Sequence, residues 1–538
     1  MGNSEEIREI LETHPQYRET LFIRGYLVTN RGPDGLQDFP FYGNWKKTSC
    51  GSLENGTSLQ IFYHRLQDCF VIKEGGVTAA IIGHAYNPFT MEFDENDILK
   101  DLVVSYKESE TAFFEKINEL TGIHLVLLND TQRLIAVQDC SGMKSCYFGT
   151  INNDLYISSH PQLVGDLLSL KTDPFVEKLV RSRQYNIGTK YLPGNMTPFK
   201  ELKRLGGNTY MEYTQGKCSI RRFYPTHPHD EIHTEAEFSE RTEKIAHILH
   251  RNIELAAKKW KTPAISLSGG TDSRTTLACA NGLYDKFKYF SFHCKPQEKL
   301  DADAAHRICA KIGLEHTIYP VPDRNEDVKD FDILKKIIDH NTSYFKNTAD
   351  NEIRKLIHFY RLNDFDVELK SWASEIVRVF LERKYNVKMP SVLTERHFSI
   401  FQTRYFLTPG LLKKSDRIYN SYLKEIGLEK PLFNFEHSDF FYWEIYLGAW
   451  GTTVVSSQDF CHNITMPFNN RKLLELFLSF PHEYRKNDDV HKSVIRQSNP
   501  EIADTNIEVK NLYFHSYRIL LEKTYYYYRT LFYSKIKS

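Results

Sequence analysis

The sequence predicts two unlike folds in one chain. An α+β amino-terminal domain of antiparallel sheets is followed by an α/β domain with a doubly wound parallel sheet and a helical carboxy-terminal part. Three observations predict this. Up to about residue 223, short apolar or β-branched runs alternate with turn-forming residues. Beyond residue 260, strand and helix patterns alternate, as right-handed βαβ crossovers require. A Ser/Gly loop stands at the end of the first of these later strands, the edge at which open α/β sheets bind ligands.

In the first part, Leu59–His64, Phe70–Lys73 and Val77–His84 read as strands, with Gly75-Gly76 as a turn. Leu125–Leu128 and Leu134–Val137 flank Asn129-Asp130-Thr131-Gln132, and Cys146–Gly149 and Leu155–Ser158 flank Asn152-Asn153-Asp154. Asn and Asp tolerate left-handed turn conformations, so both pairs are expected to be hairpins. The polar stretch Pro225–Asp230 reads as a linker. His227, His229 and His233 are read as part of a solvated hinge, because they lack the regular context of a ligand set. The expected division is 1–224, 235–515 and a tail at 516–538.

After the linker, Phe238, Ile245, Ile248, Leu249, Ile253 and Ala256 recur at helical spacing. Ala264–Leu267, Lys288–His293 and His316–Val321 are expected strands, separated by helices over Asp272–Leu283 and Asp303–Ile312. Asp301 and Asp303 are expected to cap the second helix.

Composition excludes several classes. The 538 residues carry 69 Lys plus Arg against 69 Asp plus Glu, a balance that disfavours nucleic acid as a partner. No run of about 18 apolar residues is present, the acidic start lacks a secretory h-region, and a cytoplasmic location is expected. Nine cysteines without a C-x-x-C pair argue for reduced thiols rather than a zinc ribbon. The aromatic tail Tyr525–Lys537 is compatible with a membrane surface, and a docked helix is the more economical reading.

The most informative segment is Ser266-Leu267-Ser268-Gly269-Gly270-Thr271-Asp272-Ser273-Arg274. Two glycines let successive N–H groups curl around one anion, Ser268 and Ser273 add hydroxyl donors, and the helix start adds partial positive charge. Asp272 is then placed to hold Mg²⁺ against phosphates. The Gly-Lys-Ser/Thr ending of a Walker loop is missing.

At these residues the chain resembles the ATP pyrophosphatase superfamily and, more widely, the asparagine synthetase family. Further likeness lies at Gln138–Met143, Pro193–Lys200, Leu205–Gly207, Met466–Phe468, Pro481 and Lys492–Arg496. The resemblance implies a glutaminase-type first domain with Ntn-hydrolase-like sheets and a PP-loop (adenine nucleotide α-hydrolase) second domain. It implies Mg-ATP-dependent adenylation of a carboxylate, release of pyrophosphate and transfer of the acyl group to an amine. By resemblance, Leu267, Ser268, Gly269, Gly270, Asp272, Ser273, Phe292, Lys370 and Ser371 bind ATP. Asp272 and Glu375 hold the metal, and Lys492 with Glu375 carries the catalysis.

Two departures qualify this. Leu369–Ile376 is similar to the family's S-G-E-G-S-D-E, with Glu375 in place of its metal-binding aspartate and Trp372 where a substrate-side glutamate stands. The glutaminase chemistry needs a cysteine as first residue, whereas Gly2 follows Met1 and Cys50 is the first cysteine. The Asn30–Asp34 run echoes a glutamine-site signature, but a turn accounts for it. The expectation is a small-molecule or peptide amide ligase whose amine does not come from glutamine, compatible with a homodimer. The alternative is an inactive scaffold of the same fold.

Overall fold

The structure is a computed structural model that describes residues 4–188, 190–402, 409–505, 507, 509, 512 and 516–532. The first part contains two six-stranded antiparallel sheets. One orders its strands Lys203–Arg204, Tyr147–Ile151, Asp154–Ser158, Tyr26–Thr29, Ser58–His64, Trp45–Ser52. The other runs Lys217–Arg222, Thr209–Thr214, Leu134–Gln138, Thr121–Asn129, Val77–Tyr86, Cys69–Glu74. The two expected hairpins form in register, with Leu128 opposite Ile135 and Gly149 opposite Tyr156.

Alternation along these strands explains the layering. Val28, Ile61 and Ile157 of the first sheet and Ile82, Leu125, Leu127 and Ala136 of the second share one core between the sheets. The intervening residues point outward and are equally buried. Ile81, Val126, Leu128 and Val137 pack under the helices Glu95–Glu108 and Glu110–Glu119. Leu27, Phe62 and Tyr156 pack near Ser4–Thr13 and Pro161–Leu168. The result is a four-layer α+β sandwich with the two sheets inside.

The second part is a five-stranded, all-parallel sheet in the order Thr317–Pro320, Lys288–His293, Pro263–Ser266, Val367–Leu369, Asn463–Thr465. The first strand in the chain sits at its centre, and later strands are added first on one side and then on the other. The sheet is therefore doubly wound, with its topological switch point at the end of Pro263–Ser266. The last two strands escaped the sequence reading because three residues each are too few for a periodic signal. Glu235–Lys259 follows a reciprocal cap, in which the Thr234 hydroxyl accepts the Glu237 amide and the Glu237 carboxylate accepts the Thr234 amide.

Two expectations, the start of the second crossover helix and its aspartate cap, need correction. The second crossover helix runs Pro296–Lys311, so Asp301 and Asp303 lie inside it and do not cap it. Its proline at the first helical turn sets the start earlier than the apolar stripe suggested. His227 faces Glu475, and among the described residues His227, His229 and His233 form no metal-ligand cluster.

Buried polar groups join the two parts. Asp139 accepts the amides of Ser141, Met143 and Lys144, at 3.2, 2.9 and 2.7 Å, together with the Asn469 side-chain amide at 2.9 Å. Trp443 donates to the Cys140 carbonyl and the Tyr86 hydroxyl meets Thr465.

Candidate functional site

The loop after Pro263–Ser266 is held by its own hydroxyls. Ser273 Oγ donates to the Ser268 carbonyl at 2.8 Å, the Ser268 amide meets Ser273 Oγ at 3.2 Å, and the Gly270 amide meets Ser268 Oγ at 3.2 Å. Gly270 then caps the helix Thr271–Cys279. A Cβ on Gly269 would lie 2.9 Å from Ala304 Cβ and 2.1 Å from Val509, so only glycine fits between the second crossover helix and the segment near 509.

A cavity of about 690 Å³ opens beside this loop. Leu267, Ser268, Asp272, Ser273, Phe292, Lys370, Ser371 and Glu375 line it, so most residues expected to bind nucleotide and metal converge. Gly269 and Gly270 shape the loop without lining the cavity. Ser371 Oγ lies 2.7 Å from Thr276 Oγ1, which joins the start of the loop after Val367–Leu369 to the phosphate-loop helix. Lys370 is committed elsewhere: its ammonium bonds Glu368 at 2.7 Å and lies 5.6 Å above the Trp372 ring. Burial alone would raise the Glu368 carboxyl, but Lys370 and His462 hold it well below the usual range.

Asp272 accepts Ser374 Oγ at 2.6 Å and Arg378 at 2.7 Å, and Arg378 in turn makes a two-pronged pair with Asp488. Ser374 Oγ also meets His491 Nε2 at 2.8 Å. The hydroxyl proton is already given to Asp272, so this contact requires His491 Nε2 to carry the hydrogen. Burial lowers the pKa of His491 to about 4, so it is neutral near pH 7. Glu375 hydrogen-bonds the Tyr442 hydroxyl, and burial followed by the nearby Asp272 charge raises its pKa. Two carboxylates whose charges oppose one another beside a phosphate-binding loop fit a divalent cation that takes oxygen ligands.

Ala373 adopts φ +71°, a conformation that a residue with a Cβ rarely takes, in the turn between Trp372 and Ser374. The strain sits at the site itself.

Lys492 is not brought to this group. It lies on the helix Asp489–Ser498, with its side chain 64% exposed and its ammonium on the Asn487 carbonyl and Asp489. Its neighbour His491 turns inward, because one residue rotates a helix by about 100°.

Sequence reasoning missed the opposite wall. Phe441–Gly451 is a π-helix, and Tyr442, Leu447 and Trp450 of that helix reach the cavity, followed by Val454 and Gln458. Trp372 stacks on Trp450 with ring centres 5.6 Å apart, so the indole in place of the family glutamate belongs to an aromatic wall. Lys346 also lines the cavity; it donates to Ser457 Oγ at 2.7 Å, and burial lowers its pKa to about 7. No periodic or motif signal marks Lys346. The apolar run from 440 to 450 was visible, but its register toward the cavity depends on the π-helical turn. Cys294, Glu298 and Glu352 also approach one another, yet the Cys294 thiol donates to Glu298 and two lysines hold Glu352.

Residues 244–362, which contain the loop and three strands of the parallel sheet, match the family model described as asparagine synthase. The match covers less than a quarter of the 538 residues, and that segment is similar to asparagine synthase. No curated protein matches its sequence. Among solved structures, it is similar to glutamine phosphoribosylpyrophosphate amidotransferase from B. subtilis complexed with ADP and GMP. The identity is 8% and the TM-score 0.22, covering 59% of this chain and 63% of that one. It is also similar to the glutamine-dependent NAD⁺ synthetase of Acinetobacter baumannii in complex with ADP, at 14% identity and TM-score 0.17, covering 44% and 40%. The chain thus spans less than two thirds of either structure, and superpositions this loose add nothing to the site's geometry. The first three strands of the parallel sheet are the part of this chain that carries the match.

Proposed function

We propose that this chain is an asparagine synthetase-like, Mg-ATP-dependent ligase that adenylates a carboxylate and transfers the acyl group to an amine. The convergence of the loop, Asp272 and Glu375 on one cavity at the switch point carries the reading. A carboxylate oxygen would attack the α-phosphorus of ATP and pyrophosphate would leave. The amine would then attack the acyl carbon, lose a proton and expel AMP. Charge builds on phosphate oxygens in the first step, and the start of the helix Thr271–Cys279 would help stabilise it. Magnesium would be held by Asp272 and Glu375 and would neutralise the phosphates when bound. Leu267 and Phe292 would frame the adenine, and the Trp372–Trp450 wall would bound the space left for acid and amine.

The amine is proposed to come from a source other than glutamine. Supporting this, the described cysteines of the first part have thiols pushed up by burial, Cys50, Cys69, Cys140 and Cys146 to about 12 and Cys218 to about 11, so none is a ready thiolate. The location is proposed to be cytoplasmic, in keeping with reduced cysteines.

The test is acid-dependent ATP–pyrophosphate exchange across a panel of carboxylates, beside calorimetry with ATP and Mg²⁺. Nucleotide binding with exchange supports the ligase. Nucleotide binding without exchange on any acid supports the scaffold alternative, which the pre-neutralised Asp272–Arg378 pair favours. No binding overturns both. Stoichiometric glutamate release from glutamine, coupled to ATP use, would overturn the proposed amine source.

A further inference from the structure

The helix Ser516–Tyr527 and the π-turn Tyr528–Phe532 reverse the usual arrangement of an amphipathic element. Two of their charged residues, Glu522 and Arg529, are buried against the protein. Arg529 is fully buried and pairs with Asp416 at 2.9 Å, and Glu522, also buried, faces Arg518 at 3.5 Å. Tyr525 and Tyr526 add the apolar anchor beside Tyr385 and Phe401. The opposite stripe is apolar and exposed: Tyr517 at 62%, Leu520 at 64%, Leu521 at 56%, Tyr527 at 39%, Tyr528 at 42% and Leu531 at 54%. Such a stripe on a docked helix is an interaction surface rather than scattered surface apolarity.

Charge and chemistry select the occupant. The chain as a whole is neutral, but once Arg529 pairs with Asp416 and Arg518 with Glu522, residues 516–538 still hold Lys523, Lys535 and Lys537 with no further acidic residue. Lys413 and Arg417 are exposed on Pro409–Glu425, the helix that Asp416 ties to Arg529. Leucine beside tyrosine with a basic rim is the composition of a helix lying in a membrane interface, where tyrosine keeps its hydroxyl at the headgroups and lysine meets anionic lipid. A second copy fits less well. Six half-exposed side chains of this size present roughly 600 Å², still below the roughly 800 Å² that a stable protein interface takes from each partner. We propose that this stripe docks the protein on an anionic lipid surface, lying in the interface and not spanning it; no helix among the described residues is long and apolar enough to cross.

The test uses the full chain and sedimenting vesicles of phosphatidylcholine, with or without about a third phosphatidylserine. The wild type is expected to sediment with the anionic vesicles at least about tenfold more than with the neutral ones, and to be released by high salt. The Leu520→Glu, Leu521→Glu double variant is expected to lose this binding with an unchanged Tm, since both positions are exposed. Its nucleotide binding should also be unchanged, which separates this surface from the cavity. Three results would overturn the proposal. They are absence of sedimentation by the wild type, equal sedimentation by the variant, or a wild-type dimer that the variant converts to monomer without any vesicle binding.

Discussion

Asp272, Ser374 and His491 form a relay in which one buried neutral imidazole decides where a hydroxyl proton points. The pKa of His491 lies near 4 in the folded chain and near 6.5 unfolded, so the unfolded chain binds more protons between those values. Stability is therefore expected to fall as pH drops from about 6.5 to 4, by up to ~3 kcal/mol from this residue. Replacing His491 by Gln should flatten that part of a Tm-versus-pH curve, and an unaltered curve would show that His491 is not the titrating group. Ala373 offers a second test. Glycine pays no steric penalty at φ +71°, so Ala373→Gly is expected to stabilise the chain by roughly 1 kcal/mol in denaturant melts. Lys492→Met, by contrast, should leave both stability and turnover near wild type, because its exposed ammonium touches only its own helix and the preceding loop.

At the scale of elements, the turn after Leu134–Gln138 and the segment after Asn463–Thr465 hold the two parts together through Asp139 and Asn469. Asp139→Ala leaves the buried Met143 and Lys144 amides without their acceptor, while the Ser141 amide keeps Asn469 Oδ1 and the Asn469 side-chain amide keeps the Gly122 carbonyl. A loss of about 3 kcal/mol or more is expected in equilibrium unfolding, and a change below about 1 kcal/mol would show that water replaces the carboxylate. The phosphate-loop hairpin of backbone depends on Gly269 in a different way. Gly269→Val must displace Ala304 or Val509, and is expected to abolish calorimetric heat with Mg-ATP while leaving the first part folded. The strands and helices nearest the loop were legible in the sequence because each has a clear period and a proline, glycine or cap at its end. Lys288–His293 was read to the residue. The strands Val367–Leu369 and Asn463–Thr465 were not legible, since three residues pair only because a central strand and its neighbour already exist.

Over the whole molecule, one apolar core runs from Val77 of the first part to Tyr526 of the tail helix. The two parts are thus expected to unfold together, as a single calorimetric transition. Two well-separated transitions would show that the buried Asp139–Asn469 contact carries little coupling. The same continuity explains why the aromatic wall could not be read from Trp372 alone. Trp450 reaches it from 78 residues further along the chain, through a π-helix whose register is set by packing.

Local chemistry sufficed where function needs neighbours in the chain. Two glycines, two serines and an aspartate stand within six residues, and the strand before and helix after them place that loop at a sheet edge. The sequence by itself therefore determined the fold class, the phosphate loop and the kind of reaction to test. Tertiary structure alone decided which distant groups share the loop's cavity: it brought in Arg378, Lys346, Tyr442 and Trp450, left Lys492 outside, and turned the tail helix apolar side out. The physical reason is that burial and contact across tens or hundreds of residues depend on how whole elements pack, and packing leaves no periodic trace at any one position.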